Sequence, residues 1–481
     1  MLKRFLLFII ISFCAGQVNW QIEVVDMMSP LVKEYYYNAM ALQSNNMPGV
    51  VYNKNDCGDI IFAWRTDSGW TKETVDSGYF YYAFSLVYDD NDVAHLSFYQ
   101  RNDSLERTYL CYGRRDSSAW HITAVDSIDG SLGGYYWNFN TSIALDTAGY
   151  PGIAYIAWNL ADSLHYIKYA HYNGASWDTS VVEYDSAYAN QQTGPTDYSP
   201  SLRFNRENIP YIAFYHVYAS SHADTLKLAH YDEDQDCWFI EPVLNNLHAG
   251  IPVSLAFNNA DYPCIAHGYD AGLAYTWWDG VDWHTDYGIA SIGWLQLRIR
   301  LALDSNDNPH ILYRHWGAAY PRYCYKDSIW HLCGPVEPDS GDANVQADVN
   351  IVLDNQDQIH IAYKYNDYVQ FISGFKYAVG TLQGIDESPG TGNKDRLKSL
   401  VVFPTPASKR VNIRYDLVRQ CAVELLFYDV TGACIKRLKK GFLMPGYYEE
   451  VIDLKDSAAG VYFIVLRQDK EKVSKKVLLI K

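Results

Sequence analysis

Between residues 38 and 379 the chain repeats one pattern of apolar and polar positions. A short apolar strand leads into a polar turn and then into a second apolar strand, with the alternation expected of half-buried extended chain. The pattern reads Ser85-Leu-Val-Tyr-Asp-Asp-Asn-Asp-Val-Ala-His-Leu-Ser-Phe98, Ser142-Ile-Ala-Leu-Asp-Thr-Ala-Gly-Tyr-Pro-Gly-Ile-Ala-Tyr155 and Ser201-Leu-Arg-Phe-Asn-Arg-Glu-Asn-Ile-Pro-Tyr-Ile-Ala-Phe214. Related stretches begin at Ala41, Ser254, Arg300 and Asn350, which makes seven copies. A second series follows each copy: an aromatic strand, a turn of Asp, Asn, Ser or Gly, and a Trp that opens another strand. Its tryptophans are Trp20, Trp70, Trp120, Trp177, Trp238, Trp283 and Trp330, again seven.

The two series are out of phase. Trp20-Gln-Ile-Glu-Val-Val-Asp26 matches Trp70-Thr-Lys-Glu-Thr-Val-Asp76, yet no full repeat precedes it, and the last repeat runs through Phe371–Val379 without a Trp strand after it. One strand is spare at the N-terminus and one is missing at the end of the array. A ring closed by the N-terminal strand satisfies both facts, whereas an open stack would leave an unpaired edge at each end. Four strands per unit at this spacing suit a propeller blade. The expectation is an all-β chain in which residues 17–379 form a seven-bladed β-propeller, the N-terminal strand closing the last blade. The Ser-Ile-Ala-Leu-Asp strand lies innermost and the Trp strand outermost.

Residues 380–395 read as a linker, with Gly380, Gly384, Pro389, Gly390 and Gly392 and no apolar period. Alternating runs resume over residues 396–481 and predict a small antiparallel β-sandwich. The module carries Phe403-Pro-Thr-Pro-Ala407, Tyr428-Asp-Val-Thr-Gly432, Ala459-Gly-Val-Tyr462 and a Lys-Lys-x-x-Leu ending at Lys475. On these marks it resembles the type A C-terminal sorting domain of the type IX secretion system, with Thr405 where that family usually has Asn. The resemblance implies the secretion machinery as a partner, export across an outer membrane, and clipping of the domain as the cargo is anchored or released. The ring resembles propellers of the sialidase-like and lectin-like type more loosely: Thr66-Asp-Ser-Gly-Trp70 and Tyr172-Asn-Gly-Ala-Ser-Trp177 are faintly similar to the sialidase Asp-box, with shortened spacing.

The N-terminus adds a second export mark. Lys3 and Arg4, the apolar run Phe5–Phe13 and the small residues Ala15 and Gly16 have the order of a signal peptide over residues 1–16. That run is too short to span a bilayer, and no transmembrane span is expected elsewhere. Charge divides unevenly: residues 396–481 carry 17 Lys and Arg against 9 Asp and Glu, while residues 17–395 carry 20 against 47. So acidic a ring repels phosphate backbones, which excludes nucleic acid as its expected partner. Eight cysteines follow the signal and show no CxxC spacing. Cys324 and Cys333, across one hairpin, are the candidate disulfide, against the alternative of scattered buried thiols. The turns Asp304–Pro309 and Asp354–Gln358 offer calcium-like carboxylates without a clear motif, and Asp and Asn at such turns also bond their own backbone. No cofactor is expected and no metal site is assigned.

The candidate chemistry is aromatic. With 42 tyrosines and 14 tryptophans, loops at one mouth of the channel collect rings beside polar groups. Tyr37, Tyr82, Arg101, Trp137, Trp158, Tyr198, His216, Trp294, Arg314, His315 and Trp316 are the candidate ligand-binding set, since aromatic faces stack on sugars or peptide side chains while Arg and His orient polar groups. The alternative for each ring is packing between blades. A glycosidase needs two carboxylates at a defined separation, and the sequence marks no such pair. Ser-His-Asp elbows, zinc-binding HExxH and phosphate loops are absent. The function expected is non-catalytic binding of a glycan or peptide. A sialidase-like or other glycoside hydrolase is the alternative, and a structural or adhesion module without a discrete ligand is a third reading.

Overall fold

The computed structural model describes residues 18–382 apart from 29–36, 55–57, 106, 130–139, 160–163, 186–199, 218–223, 245–248, 270–271, 291–297, 315–319, 338–348 and 368–371. It also describes residues 400–479 apart from 404–409, 418–420, 431–432, 444–445, 456–457 and 469–470. These residues form two compact units that divide between 383 and 384. Both units are built of strands, and a single turn of 3-10 helix at Asp103–Leu105 is the exception among the described residues.

The first unit contains seven four-stranded antiparallel sheets. Numbered by their innermost strands, they begin at Asn38–Leu42, Phe80–Tyr88, Ser142–Leu145, Ser201–Phe204, Ala249–Phe257, Ile299–Leu303 and Val349–Leu353. In sheets 1 to 6 the strands lie in chain order, and the fourth, which carries the Trp, is outermost. Sheet 7 takes its fourth strand from the N-terminus: Val18–Met28 pairs with Ile372–Leu382, Trp20 opposite Gly380 and Val18 opposite Leu382. A Cβ on Gly380 would sit 2.5 Å from the Trp20 ring, so this pairing requires glycine there. Gly380, Thr381 and Leu382, expected in the linker, are therefore part of the last sheet. Each innermost strand touches the innermost strands on either side, and Asn38–Leu42 touches Val349–Leu353, which closes the ring as in a β-propeller.

Three belts of hydrogen bonds join the sheets. In the inner belt a serine of one sheet accepts a backbone N–H of the next: Ser85 Oγ from Ile143 at 3.1 Å, Ser142 from Leu202 at 3.0 Å, Ser201 from Leu255 at 2.9 Å and Ser254 from Leu301 at 3.0 Å. An innermost strand has one edge unpaired within its own sheet, and these serines satisfy its buried donors. Where the ring closes, Asn350 Nδ2 donates to the Asn38 carbonyl at 3.1 Å.

The second belt lies at the turns between first and second strands. Asp92, Asn208, Asp261, Asp307 and Asp357 hold φ between 58° and 68°, a region that favours glycine but that Asp and Asn tolerate. Each side chain accepts a backbone N–H from the preceding sheet's turn: from Ser44, Thr147, Arg206, Asn259 and Ser305 respectively, at 2.6 to 3.2 Å. Asn46 Nδ2 donates to Asn355 Oδ1 at 3.0 Å across the closure.

The outer belt explains the tryptophans. Trp70 donates to Glu23 at 3.0 Å, Trp120 to Glu73 at 2.8 Å, Trp238 to Ser180 at 3.0 Å and Trp330 to Asp286 at 2.8 Å. Every acceptor stands three residues after the Trp of the preceding sheet.

The turn carboxylates are engaged. Asp354 Oδ1 accepts the Gln356 and Gln358 amides at 2.8 Å each, and its Oδ2 lies 3.3 Å from His360 Nε2. Asp304 Oδ1 accepts the Asn306 and Asn308 amides, and Asp89 does the same for Asn91 and Val93. In three sheets the histidine's other nitrogen meets a tyrosine hydroxyl, giving His95–Tyr112, His310–Tyr323 and His360–Tyr377 pairs. The calcium-like turns are thus occupied by their own backbone, and no group of three His, Cys, Asp or Glu among the described residues is placed to hold a metal. Cys324 and Cys333 are both free thiols, which corrects the candidate disulfide. The register sets Cys324 opposite Leu332, and the bulge beside it displaces Cys333 from the pair position.

In the second unit a three-stranded sheet (Leu400–Phe403, Arg410–Leu417 and Gly446–Asp453) accompanies a four-stranded one. Val411, Ile413 and Ile452 from the first share a core with Leu425, Phe427, Ile464, Leu466 and Val477 from the second. Tyr462 stacks on Phe427 and donates to the Ala458 carbonyl at 2.7 Å.

Two outcomes follow from this packing. Ser201→Ala leaves the buried Leu255 N–H without its acceptor and should destabilise the ring by about 1–3 kcal/mol in urea unfolding. Ser305→Ala, on the exposed turn belt, should change stability by less than about 0.5 kcal/mol. Equal losses at the two positions would refute the primacy of the inner belt. The second outcome concerns pH. His267 is fully buried, with Nδ1 on the Gly268 carbonyl and Nε2 on the Thr276 hydroxyl, each at 2.8 Å. Burial pushes its pKa down to about 4, and burial also holds His95, His310 and His360 below the ordinary value against the pull of their aspartates. A depressed folded pKa means that the unfolded chain takes up protons first. Stability is then full above pH ~6.5 and falls as pH drops toward 4, by on the order of 3 kcal/mol for His267 alone. Melting temperatures at pH 7.5 and 4.5 should show this loss, and His267→Gln should shrink it; an unchanged pH difference in the variant would rule the assignment out.

Candidate functional site

A cavity of about 1340 Å³ occupies the centre of the ring and reaches the turns between first and second strands. Its lining follows from strand register. The residue four positions before the first turn residue is Ala39, Ser85, Ser142, Ser201, Ser254, Arg300 or Asn350 in sheets 1 to 7, and all seven line the cavity. The serines are those of the inner belt. Each gives a lone pair to a neighbouring N–H and keeps its own O–H as a donor. Arg203, two positions before the turn of sheet 4, and Arg114 of sheet 2 are further arginines in the lining.

Arg203 Nη1 donates to the Leu202 carbonyl at 2.7 Å, and Arg300 Nη1 donates to the Ile299 carbonyl at 3.1 Å. Desolvation, and then the charge of Arg300, draw the Arg203 pKa down to about 10. The lining also holds four carboxylates, all at the turn end: Asp89, Asp90, Asp146 and Asp354. Asp146 accepts the Ala148 and Tyr150 amides and faces His171 at 3.0 Å. Burial works to raise the Asp89 and Asp354 carboxyls, yet the turn amides and the partner histidines outweigh it and hold both below the usual value. Asp90 is the exposed one among the four. General-acid catalysis near neutral pH needs a raised carboxyl, and these two are lowered.

The structure brings only part of the expected aromatic mouth into view. Tyr37 and Tyr82 are each 4% exposed. Their rings pack at 6.2 Å, and Tyr82 stacks on Tyr99 at 5.3 Å, so both fill the seam between sheets 1 and 2 instead of offering a free face. Arg101 ends a strand of sheet 2 opposite Phe80, and Arg314 donates its N–H to the Arg298 carbonyl at 3.0 Å; both are half-buried. Trp158 and His216 occupy strand positions opposite His165 and Thr225. Trp137, Tyr198, Trp294, His315 and Trp316 lie outside the described residues. The serine position, Arg203 and Arg300 were absent from the expected site. Their signal in the sequence was a fixed offset from the turn, readable once each turn's first residue was aligned.

No curated protein matches the chain. Solved structures give distant likenesses. A Penicillium chrysogenum alpha-L-arabinanase complexed with arabinobiose is 10% identical at a TM-score of 0.39, covering 77% of this chain and 98% of its own. The Aleuria aurantia lectin, described as a six-bladed β-propeller with fucose recognition, is 12% identical at 0.40, covering 65% and 98%. The β-propeller domain of the Trilobed protease from Pyrococcus furiosus is 6% identical at 0.43, covering 75% and 100%. No helix among the described residues is long and apolar enough to cross a membrane. Residues 401–481 match the secretion system C-terminal sorting domain, so the chain carries the type IX sorting module and is exported to the cell surface or the extracellular space.

Proposed function

We propose that the chain is a non-catalytic glycan-binding protein whose ring is a seven-bladed β-propeller and whose tail is a sorting β-sandwich. Residues 1–16 would serve as the signal peptide, 17–382 as the binding ring and 396–481 as the tail that engages the secretion machinery. The observation that carries this reading is the register-matched lining of the central cavity. Hydroxyl and guanidinium donors ring it, and a sugar presents many oxygen acceptors to such a surface. Three of its four described carboxylates are tied to turn amides and histidines, leaving Asp90 without a second free acid for hydrolysis. Trp158, His216, Arg101 and Arg314, with Trp137, Tyr198, Trp294, His315 and Trp316, belong to this proposal as the opposite mouth, where stacking would extend the contact.

A glycan array probed with the full chain, followed by reducing-end assays on each hit, tests the proposal. Binding without release of sugar is the expected result. Turnover of a bound glycan would establish the hydrolase reading instead, and absence of any glycan hit would refute binding.

A further inference from the structure

We infer that the central cavity takes its ligand by an anionic group, a carboxylate or a sulfate, held between Arg203 and Arg300; this rests on the glycan-binding reading above. Both guanidiniums reach one cavity from different sheets, Arg203 from sheet 4 and Arg300 from sheet 6. The lowered Arg203 pKa is the mark first of lost hydration and then of repulsion by the Arg300 charge. Among the described residues no carboxylate pairs with Arg203: its one hydrogen bond is to the carbonyl of the residue before it. This contrasts with four other cations of the ring. Arg65 binds Glu23, Arg115 binds Glu73, Lys326 binds Asp286 and Lys376 binds Glu337.

The surroundings match an anion as well. The backbone of Arg300 stands four residues from its turn, about 13 Å along an extended strand, which anchors the side chain deeper than the turn carboxylates. At its level the lining is the serine belt, where Ser142, Ser201 and Ser254 have already given a lone pair to a neighbouring N–H. What they retain for a ligand is their O–H, with a second lone pair. Two guanidiniums and three hydroxyls pointing donors into one space complement an oxyanion, and arginine's planar fork suits carboxylate and sulfate alike. The ring as a whole is strongly acidic, so long-range attraction cannot supply this preference and the arginines must do so locally.

The test is calorimetric titration of the full chain with four probes: an oligogalacturonate, a heparin-derived sulfated oligosaccharide, a neutral maltooligosaccharide and inorganic sulfate. At least one acidic sugar should bind about tenfold or more tighter than the neutral one. Which of the two binds separates a carboxylate ligand from a sulfate ligand. Arg203→Gln and Arg300→Gln should each weaken that acidic sugar by about tenfold or more, with Arg203→Lys retaining part of the affinity. Neutral sugar bound as tightly as acidic, or affinity unchanged in both Gln variants, would overturn the inference and leave the glycan reading standing. If no sugar binds but inorganic sulfate gives a saturable calorimetric isotherm that Arg203→Gln abolishes, the anion site stands and the glycan reading falls. Should the Gln variants fail to fold, saturable binding of inorganic sulfate to the wild type, competed by the acidic sugar, decides, and no binding overturns the site.

Discussion

Everything in the ring depends on how a four-stranded sheet disposes of the donors on its inner edge. The first strand of each sheet pairs on one side only, so its other side faces the axis with backbone N–H groups that burial would leave unsatisfied. The serine of the preceding sheet accepts one of them, from Ile143 through Leu301. The bond is modest by itself, but its loss strands a buried donor, and that asymmetry makes the serine position hard to vary. The belts at the turns and at the outer strands repeat the solution at larger radius, with Asp or Asn accepting from a turn amide and Glu, Ser or Asp accepting from an indole.

Closure imposes the second constraint. Sheet 7 is incomplete until Val18–Met28 reaches Ile372–Leu382, so the two ends of the ring must meet before the last edge is covered. Polar contacts reinforce the seam between sheets 7 and 1: Asp26 meets the Tyr52 hydroxyl at 2.9 Å and Lys72, Glu23 meets Arg65 and Trp70, and Asn350 meets Asn38. Glu23 and Asp26 sit on the N-terminal strand itself. The strand that closes the ring therefore also supplies the acceptors that bind it to sheet 1.

Much of this was legible in the sequence, and the parts that were not share a cause. The spare Trp20 strand and the missing last strand located the closure correctly, because strand period and repeat phase are one-dimensional signals. The Asp-rich turns left two readings open, since a carboxylate that caps its own turn and one that binds calcium look alike until the amide partners are placed. Tyr37 and Tyr82 were expected at a mouth because tyrosine serves both seams and surfaces, and only packing distinguishes the two. The Trp-to-acid spacing of three residues was in plain view at Trp20–Glu23 and Trp70–Glu73. It meant nothing without knowing that the indole reaching Glu23 comes from the next sheet. Side-chain partners across sheets are the information that a linear repeat does not hold.

The serine belt also bears on where a ligand can be specified. A residue that ties two sheets together is not free to change with the ligand, so variation is confined to positions the belt releases. In sheets 2 to 5 that register position is serine, while in sheets 6, 7 and 1 it is Arg300, Asn350 and Ala39, three neighbours around the closure. There Asn350 carries the link to Asn38 by its side-chain amide, and no serine latch is needed. The closure relaxes the constraint on one arc of the lining, and a long charged side chain occupies that arc. Arg203 lies two residues along its strand from the serine of sheet 4, which leaves Ser201 to its latch while placing a second charge across the cavity. Scaffold and recognition are thus divided by register: the latch position holds the ring, and the positions it spares carry the chemistry.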